Sequence, residues 1–189
     1  FDMTEIMMGI YTEPDTVRLL LEKCTAFIME YCKALKACGT DGVIIAEPAA
    51  GLLPNDDCKA FSSVYVKQIV DAVQDDDFAV ILHNCGNGGH CTEAMTCTGA
   101  KGYHFGNKID MADALKECPS NTLVIGNLDP VGVFKNETAA EVYAETYSLL
   151  EKCGNYGNFV ISSGCDVPPG IPFENIGAFY KAVADFNQR

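Results

Sequence analysis

His83 and Cys85 stand two residues apart at the end of an apolar run, Ala79-Val-Ile-Leu82, just before a glycine-rich turn, Gly86-Asn-Gly-Gly89. Alternate residues of an extended strand project to one side, so the imidazole and the thiol share a face if the strand runs through them. A neutral imidazole and a thiolate are two of the three protein ligands of an open zinc centre. A core histidine and an inert buried cysteine are the plainer reading of the same pair. Cys165, in Ser162-Ser-Gly-Cys-Asp-Val-Pro-Pro-Gly170, follows another apolar run. If sheet order brings the two strand ends together, His83, Cys85 and Cys165 form a Cys2His set with a fourth position free for substrate. That pattern belongs to catalytic rather than structural zinc. Alone, Cys165 reads more often as a small buried residue.

Other polar residues close the remaining apolar runs. Glu47, before Pro48, reads as an occasional metal ligand, a pocket carboxylate or an exposed acid. His104 reads as pocket wall or as packing. Asn127 and Asp129 either orient a ligand or cap a turn. His90 is expected to be solvated at a helix start, and Cys97 to be a packing thiol. There is no nucleophile-elbow glycine pattern, no CxxC zinc module and no phosphate-cradling loop.

The elements that must position these groups alternate regularly. The first dozen residues carry no clear element. Thr12-Glu-Pro-Asp15 reads as a helix start, and Val17, Leu20, Leu21, Cys24, Ile28, Tyr31 and Leu35 as its inward stripe up to Gly39. Apolar runs at Val43–Ala46, Ala79–Leu82, Gly102–Phe105, Thr122–Ile125 and Phe159–Ser162 read as buried strands. Helices are expected over Phe61–Val73, His90–Cys97, Asp110–Cys118, Thr138–Lys152 and Phe173–Phe186, with Gly126-Asn-Leu-Asp-Pro130 as a turn after the fourth strand. Strands alternating with helices predict an α/β fold with about five parallel βα units, a partial (β/α)8 TIM barrel. In that architecture functional groups gather at the C-terminal strand ends. No dinucleotide fingerprint follows any strand, which argues against a Rossmann fold.

The 189 residues are 48% hydrophobic, which suits a single globular domain over 1–189. Thirteen basic against twenty-six acidic residues give a formal charge of −13, which disfavours nucleic acid as a partner. The apolar runs are too short to span a membrane. Ten cysteines with no leader-like segment read as thiols in a reducing cytoplasm, with Cys24, Cys32, Cys38, Cys118 and Cys153 as helix packing.

Three segments carry a family resemblance: His83-Asn-Cys-Gly86, Gly126-Asn-Leu-Asp-Pro130, and Gly164-Cys-Asp-Val-Pro-Pro-Gly-Ile-Pro172 followed by Glu174-Asn175. They resemble the uroporphyrinogen decarboxylase superfamily, and within it the corrinoid-dependent methyltransferase branch that includes methylcobalamin:coenzyme M methyltransferases. The resemblance implies zinc held by His83, Cys85 and Cys165, with Glu47 as a further candidate. It implies a corrinoid (methylcobalamin) as methyl donor or acceptor, with Asn127, Asp129 and His104 as candidate cofactor-binding residues. The implied partners are a corrinoid protein or free cobalamin and a small thiol substrate. Uroporphyrinogen decarboxylases use no metal, so a tetrapyrrole decarboxylase is the alternative, and a non-catalytic metal-binding fragment a third. The family's barrel is near twice this length, and this chain resembles its C-terminal portion. Open sheet edges are then expected to favour homo-oligomers and weak turnover.

Overall fold

The computed structural model describes residues 2–189. Strands β1 (Gly42–Ala46), β2 (Ala79–Asn84), β3 (Gly102–Phe105), β4 (Leu123–Leu128) and β5 (Phe159–Ser163) form one parallel sheet whose spatial order is the sequence order. Ala46 pairs with His83, His83 with His104, Ile125 with Val160 and Leu128 with Ser163. Five βα steps laid side by side in this way are an arc of a (β/α)8 barrel, as expected. Among the described residues no helix is long and apolar enough to cross a membrane.

The helices are α1 (Met3–Thr12), α2 (Pro14–Ala37), α3 (Asn55–Cys58), α4 (Val64–Val73), α5 (Thr92–Thr96), α6 (Met111–Glu117), α7 (Ala139–Cys153) and α8 (Phe173–Phe186). Helix α1 corrects the expectation of an unstructured start. Asp2 accepts the Glu5 N–H at 2.8 Å while the Glu5 carboxylate accepts the Asp2 N–H at 3.0 Å, a reciprocal cap that satisfies two end donors. Thr12 ends α1 instead of capping α2, which starts at Pro14 behind Glu13.

The inward stripe of α2 is narrower than its sequence periodicity suggests. Val17, Leu21, Thr25, Met29 and Cys32 face inward, mostly at steps of four, whereas Cys24, Ile28 and Tyr31 are exposed. The helix packs against α1 and α4. Cys38 is also exposed, whereas Cys32, Cys118 and Cys153 are buried packing thiols as expected. All ten cysteines are free.

Two boundaries move as well. Strand β4 does not turn at Gly126; it continues to Leu128 because Asn127 and Leu128 pair with Ser162 and Ser163. Helical structure before α4 begins at Asn55 and passes through a π turn at Lys59–Ser63, an irregularity often met near functional sites.

Strand alternation splits the sheet into two unlike faces. Val80, Leu82, Tyr103, Phe105 and Val124 point at the helices and join Ile69, Val70, Val73, Met111, Ala114 and Leu115 in one core. Each Val, Leu, Ile, Phe or Met side chain among these contributes roughly 1.5–3 kcal/mol by leaving water. The other face carries Ile44, His83, His104, Leu123, Ile125 and Val160 in register. There Ile44 is 67% exposed, whereas Leu82 is fully buried.

That contrast predicts opposite responses to truncation. Leu82→Ala is expected to cost about 2–5 kcal/mol of unfolding free energy by denaturant titration. Ile44→Ala, on the open face, is expected to cost less than about 1 kcal/mol.

Candidate metal centre

His83 is the last inward-facing residue of β2, with only Asn84 beyond it in the strand, and Cys85 follows directly on the same side. Cys165 follows β5, separated from it by Gly164. One ligand atom from each of His83, Cys85 and Cys165 lies within 4.8 Å of the others. Among the described residues this is a compact group able to hold a cation. A tetrahedral zinc with bonds of about 2.0–2.3 Å spaces its donors by roughly 3.5–4 Å, a gap that side-chain rotation closes from here. His83 is buried, and both cysteines are partly open.

The hydrogen bonds select the ring nitrogen that faces a metal. His83 Nδ1 lies 3.2 Å from the carbonyl oxygen of His104. A carbonyl only accepts, so Nδ1 carries the proton and Nε2 keeps its lone pair, as a metal-ligating histidine requires. Burial first, and then the neighbouring His104 ring, lower the His83 pKa and keep the imidazole neutral. Burial, reinforced by Cys165 alongside, raises the Cys85 thiol pKa. A free thiolate pair is therefore unfavourable here, and a cation that neutralises it is the natural complement.

The loop that carries Cys85 is held by asparagines, which the sequence reading missed in favour of glycines. Asn84 Oδ1 accepts the N–H groups of Gly86 and Asn87 at 3.0 and 3.1 Å. Asn87 Oδ1 accepts those of Gly89 and Cys91 at 2.9 and 3.0 Å, and its Nδ2 donates to Thr92 Oγ1. Both asparagines are fully buried. Their spacing, each two residues before the first N–H it binds, is the readable signal of consecutive Asx turns. Glycine matters where backbones touch. A Cβ on Gly106 would sit 2.8 Å from the Cα and carbonyl oxygen of Cys85, and one on Gly51 would sit 2.1 Å from Asn84 Oδ1.

The remaining candidates are not part of the three-residue group. Glu47 donates its N–H to the His83 carbonyl at 3.0 Å, but its side chain is one residue out of phase with the ligand face. It accepts from Ser62 in the π turn and borders a cavity of about 310 Å³ walled by Ile10, Val17, Leu21, Leu53 and Phe61. Burial raises its carboxyl pKa against hydrogen bonds from Ser62 and Asn84 that lower it. Asn127 Nδ2 donates to the carbonyls of Gly106 and Ile109 at 2.9 and 2.7 Å. Asp129 accepts from the N–H groups of Val131 and Gly132 at 2.8 Å and from Asn107 at 2.7 Å, so both residues brace strand-end loops. His104 packs its ring on His83, centroids 4.5 Å apart. His90 is exposed as expected, whereas Cys97, expected to pack, is exposed at the end of a helix too short to turn it inward.

The family profile described as Uroporphyrinogen decarboxylase (URO-D) matches residues 1–186. The chain is 31% identical over 180 residues to the methylcobamide:CoM methyltransferase MtbA of Methanosarcina mazei, covering 94% of this chain and 52% of that protein. It is 32% identical over 184 residues to the chloroplastic uroporphyrinogen decarboxylase of Zea mays, covering 96% and 46%. The chain thus spans about half the length of the curated relatives it matches. Among solved structures, a methyltransferase from Methanosarcina mazei superposes with a TM-score of 0.86 at 24% identity, over 97% of this chain and 53% of that one. That likeness supports the barrel-arc fold.

The asparagine network predicts a stability cost close to the ligand loop. Asn87→Ala leaves the part-buried N–H of Gly89 and the buried N–H of Cys91 without their acceptor and is expected to cost about 1–3 kcal/mol. His90→Ala, exposed nearby, is expected to change the denaturant midpoint little.

Proposed function

Because the chain belongs to the uroporphyrinogen decarboxylase (URO-D) family, we propose that His83, Cys85 and Cys165 hold zinc for transfer of a methyl group between a corrinoid and a small thiol. The observation that carries the reading is the convergence of one imidazole and two thiols within 4.8 Å at the ends of β2 and β5. Similarity to a methylcobamide:CoM methyltransferase supports the methyl-transfer class. A three-ligand set leaves a fourth position, and zinc, when bound, supplies Lewis-acid stabilisation of a substrate thiolate there.

The chain's own residues prepare that chemistry. His83 presents Nε2 because its Nδ1–H is committed to the His104 carbonyl. Cys85 and Cys165 give up their protons on metal uptake and supply the charge that balances a divalent cation. Gly106 lets the loop after β3 close against Cys85 and wall the site from one side. The corrinoid, whether free or carried by a partner protein, and the thiol belong to the proposed reaction of the whole enzyme. A tetrapyrrole decarboxylase is the second reading, favoured by the identity to the Zea mays enzyme. The paired thiols argue for the first, since decarboxylation gives them no role.

Metal analysis separates the two. The purified chain is expected to take up one equivalent of zinc, and Cys165→Ala to lose most of it. Cys97→Ala, altering an exposed thiol away from the cluster, is expected to keep it. Equal zinc in both variants, or none in the parent, contradicts the proposal.

The pH dependence follows from the raised Cys85 pKa. A thiol whose pKa lies above the ordinary value stays protonated until a cation displaces the proton. Protons therefore compete harder as pH falls, and zinc affinity measured by chelator competition is expected to drop steadily with acidification.

A further inference from the structure

We propose that His104 is a positioning residue that holds the Cys165 arm of the cluster, an inference that rests on the zinc reading above. Its side chain performs a task distinct from that of its backbone. The His104 carbonyl accepts from His83 Nδ1 at 3.2 Å, and its ring nitrogen Nε2 lies 2.7 Å from the carbonyl oxygen of Ser163. Since a carbonyl only accepts, His104 is protonated on Nε2 and donates. Ser163 Oγ in turn donates to the carbonyl oxygen of Cys165 at 2.8 Å. One residue of β3 thus reaches both strand ends that supply ligands.

The span of that contact is informative. Strand β4 lies between β3 and β5, and two strand spacings on a flat sheet are roughly 10 Å. One imidazole cannot cross that gap, so the bond exists only where the sheet bends toward the ligand face. The His104 hydrogen bond therefore fixes the bend at the height where Cys165 leaves β5. Asn127, on the intervening strand, spends its Nδ2 on the carbonyls of Gly106 and Ile109 and does not compete for Ser163. Loss of the His104 N–H loosens the 163–165 segment, which then keeps only its β4 pairing and the Gly164 N–H bond to the Leu128 carbonyl at 2.7 Å, while leaving His83 aimed, because the backbone carbonyl that holds His83 is unchanged.

The test compares His104→Phe, which keeps an aromatic ring on His83 but has no N–H, with His104→Gln, whose amide offers a donor at similar reach. In chelator competition the Phe variant is expected to bind zinc about tenfold or more weakly than the parent, the scale of a lost outer hydrogen bond at a metal site. The Gln variant is expected to recover most of that loss. Loaded with cobalt(II), the Phe variant should show a weaker thiolate-to-cobalt charge-transfer band, as for one lost sulfur, at unchanged far-ultraviolet circular dichroism. A metal-free readout runs beside it. Diamide, which takes two electrons and two protons from a pair of thiols, should link Cys85 to Cys165 readily in the parent and more slowly in the Phe variant, as followed by peptide mass spectrometry.

Phe and parent proteins that agree in affinity, cobalt spectrum and linking rate overturn the inference, as does a Gln variant no better than Phe. A parent that binds no zinc sinks the metal reading instead, and the linking rates still decide the role of His104. If the Phe variant does not fold, Ser163→Ala removes the next hydrogen bond, from Ser163 Oγ to the Cys165 carbonyl, and leaves the contact between the His83 and His104 rings in place. It should then weaken zinc binding and slow the linking, and parent-like values for both overturn the inference.

Discussion

Two strands separate β2 from β5, so on a flat sheet the ends that carry Cys85 and Cys165 would lie roughly 14 Å apart. They present ligand atoms within 4.8 Å of one another. Curvature of the sheet is therefore the constraint on which the site depends. It arises because helices cover only one face, where Val80, Leu82, Tyr103, Phe105 and Val124 pack, while the twisted parallel strands close toward the other. The same asymmetry leaves Ile44, Leu123 and Val160 on the ligand face 40–67% exposed.

Curvature brings the strand ends near, but polar contacts set the ligands at working distance. Asn84 and Asn87 are fully buried, and the Oδ1 of each accepts two backbone N–H groups of the ligand loop, which would otherwise lack partners. Glu47 ties the end of β1 to the His83 carbonyl through its N–H and to the π turn through its carboxylate. Asn127 and Asp129 do the same for the loops after β3 and β4. Every strand end near the cluster is thus braced by a side chain of its own or of a neighbour, which suits a rim whose ligands must stay in one geometry.

Much of this was legible in the chain itself. The five strands show as apolar runs, although only the alternate residues that face the helices, such as Val80, Leu82 and Val124, are fully buried. His83 and Cys85 show as a pair because strand alternation has a period of two. The convergence of Cys165 on them depends on sheet order and bend, which no local spacing encodes. Helix α1 is hard to read from the sequence because its start rests on the Asp2–Glu5 cap and not on a wide apolar stripe. Gly126-Asn127 has the composition of a turn, and pairing with β5 overrides that preference in strand β4. Helical spacing marks Cys24 and Cys97 as packing, yet both are exposed.

The family contains both methyltransferases and decarboxylases among the relatives matched, so it is the donor atoms brought together in space that favour the proposed metal-dependent reading. The coordination itself is the claim most open to direct measurement. X-ray absorption at the zinc edge of the loaded chain should give two sulfur scatterers at about 2.3 Å and nitrogen or oxygen scatterers at about 2.0–2.1 Å. A shell of nitrogen and oxygen alone, or one of four sulfurs, would contradict a centre built from His83, Cys85 and Cys165.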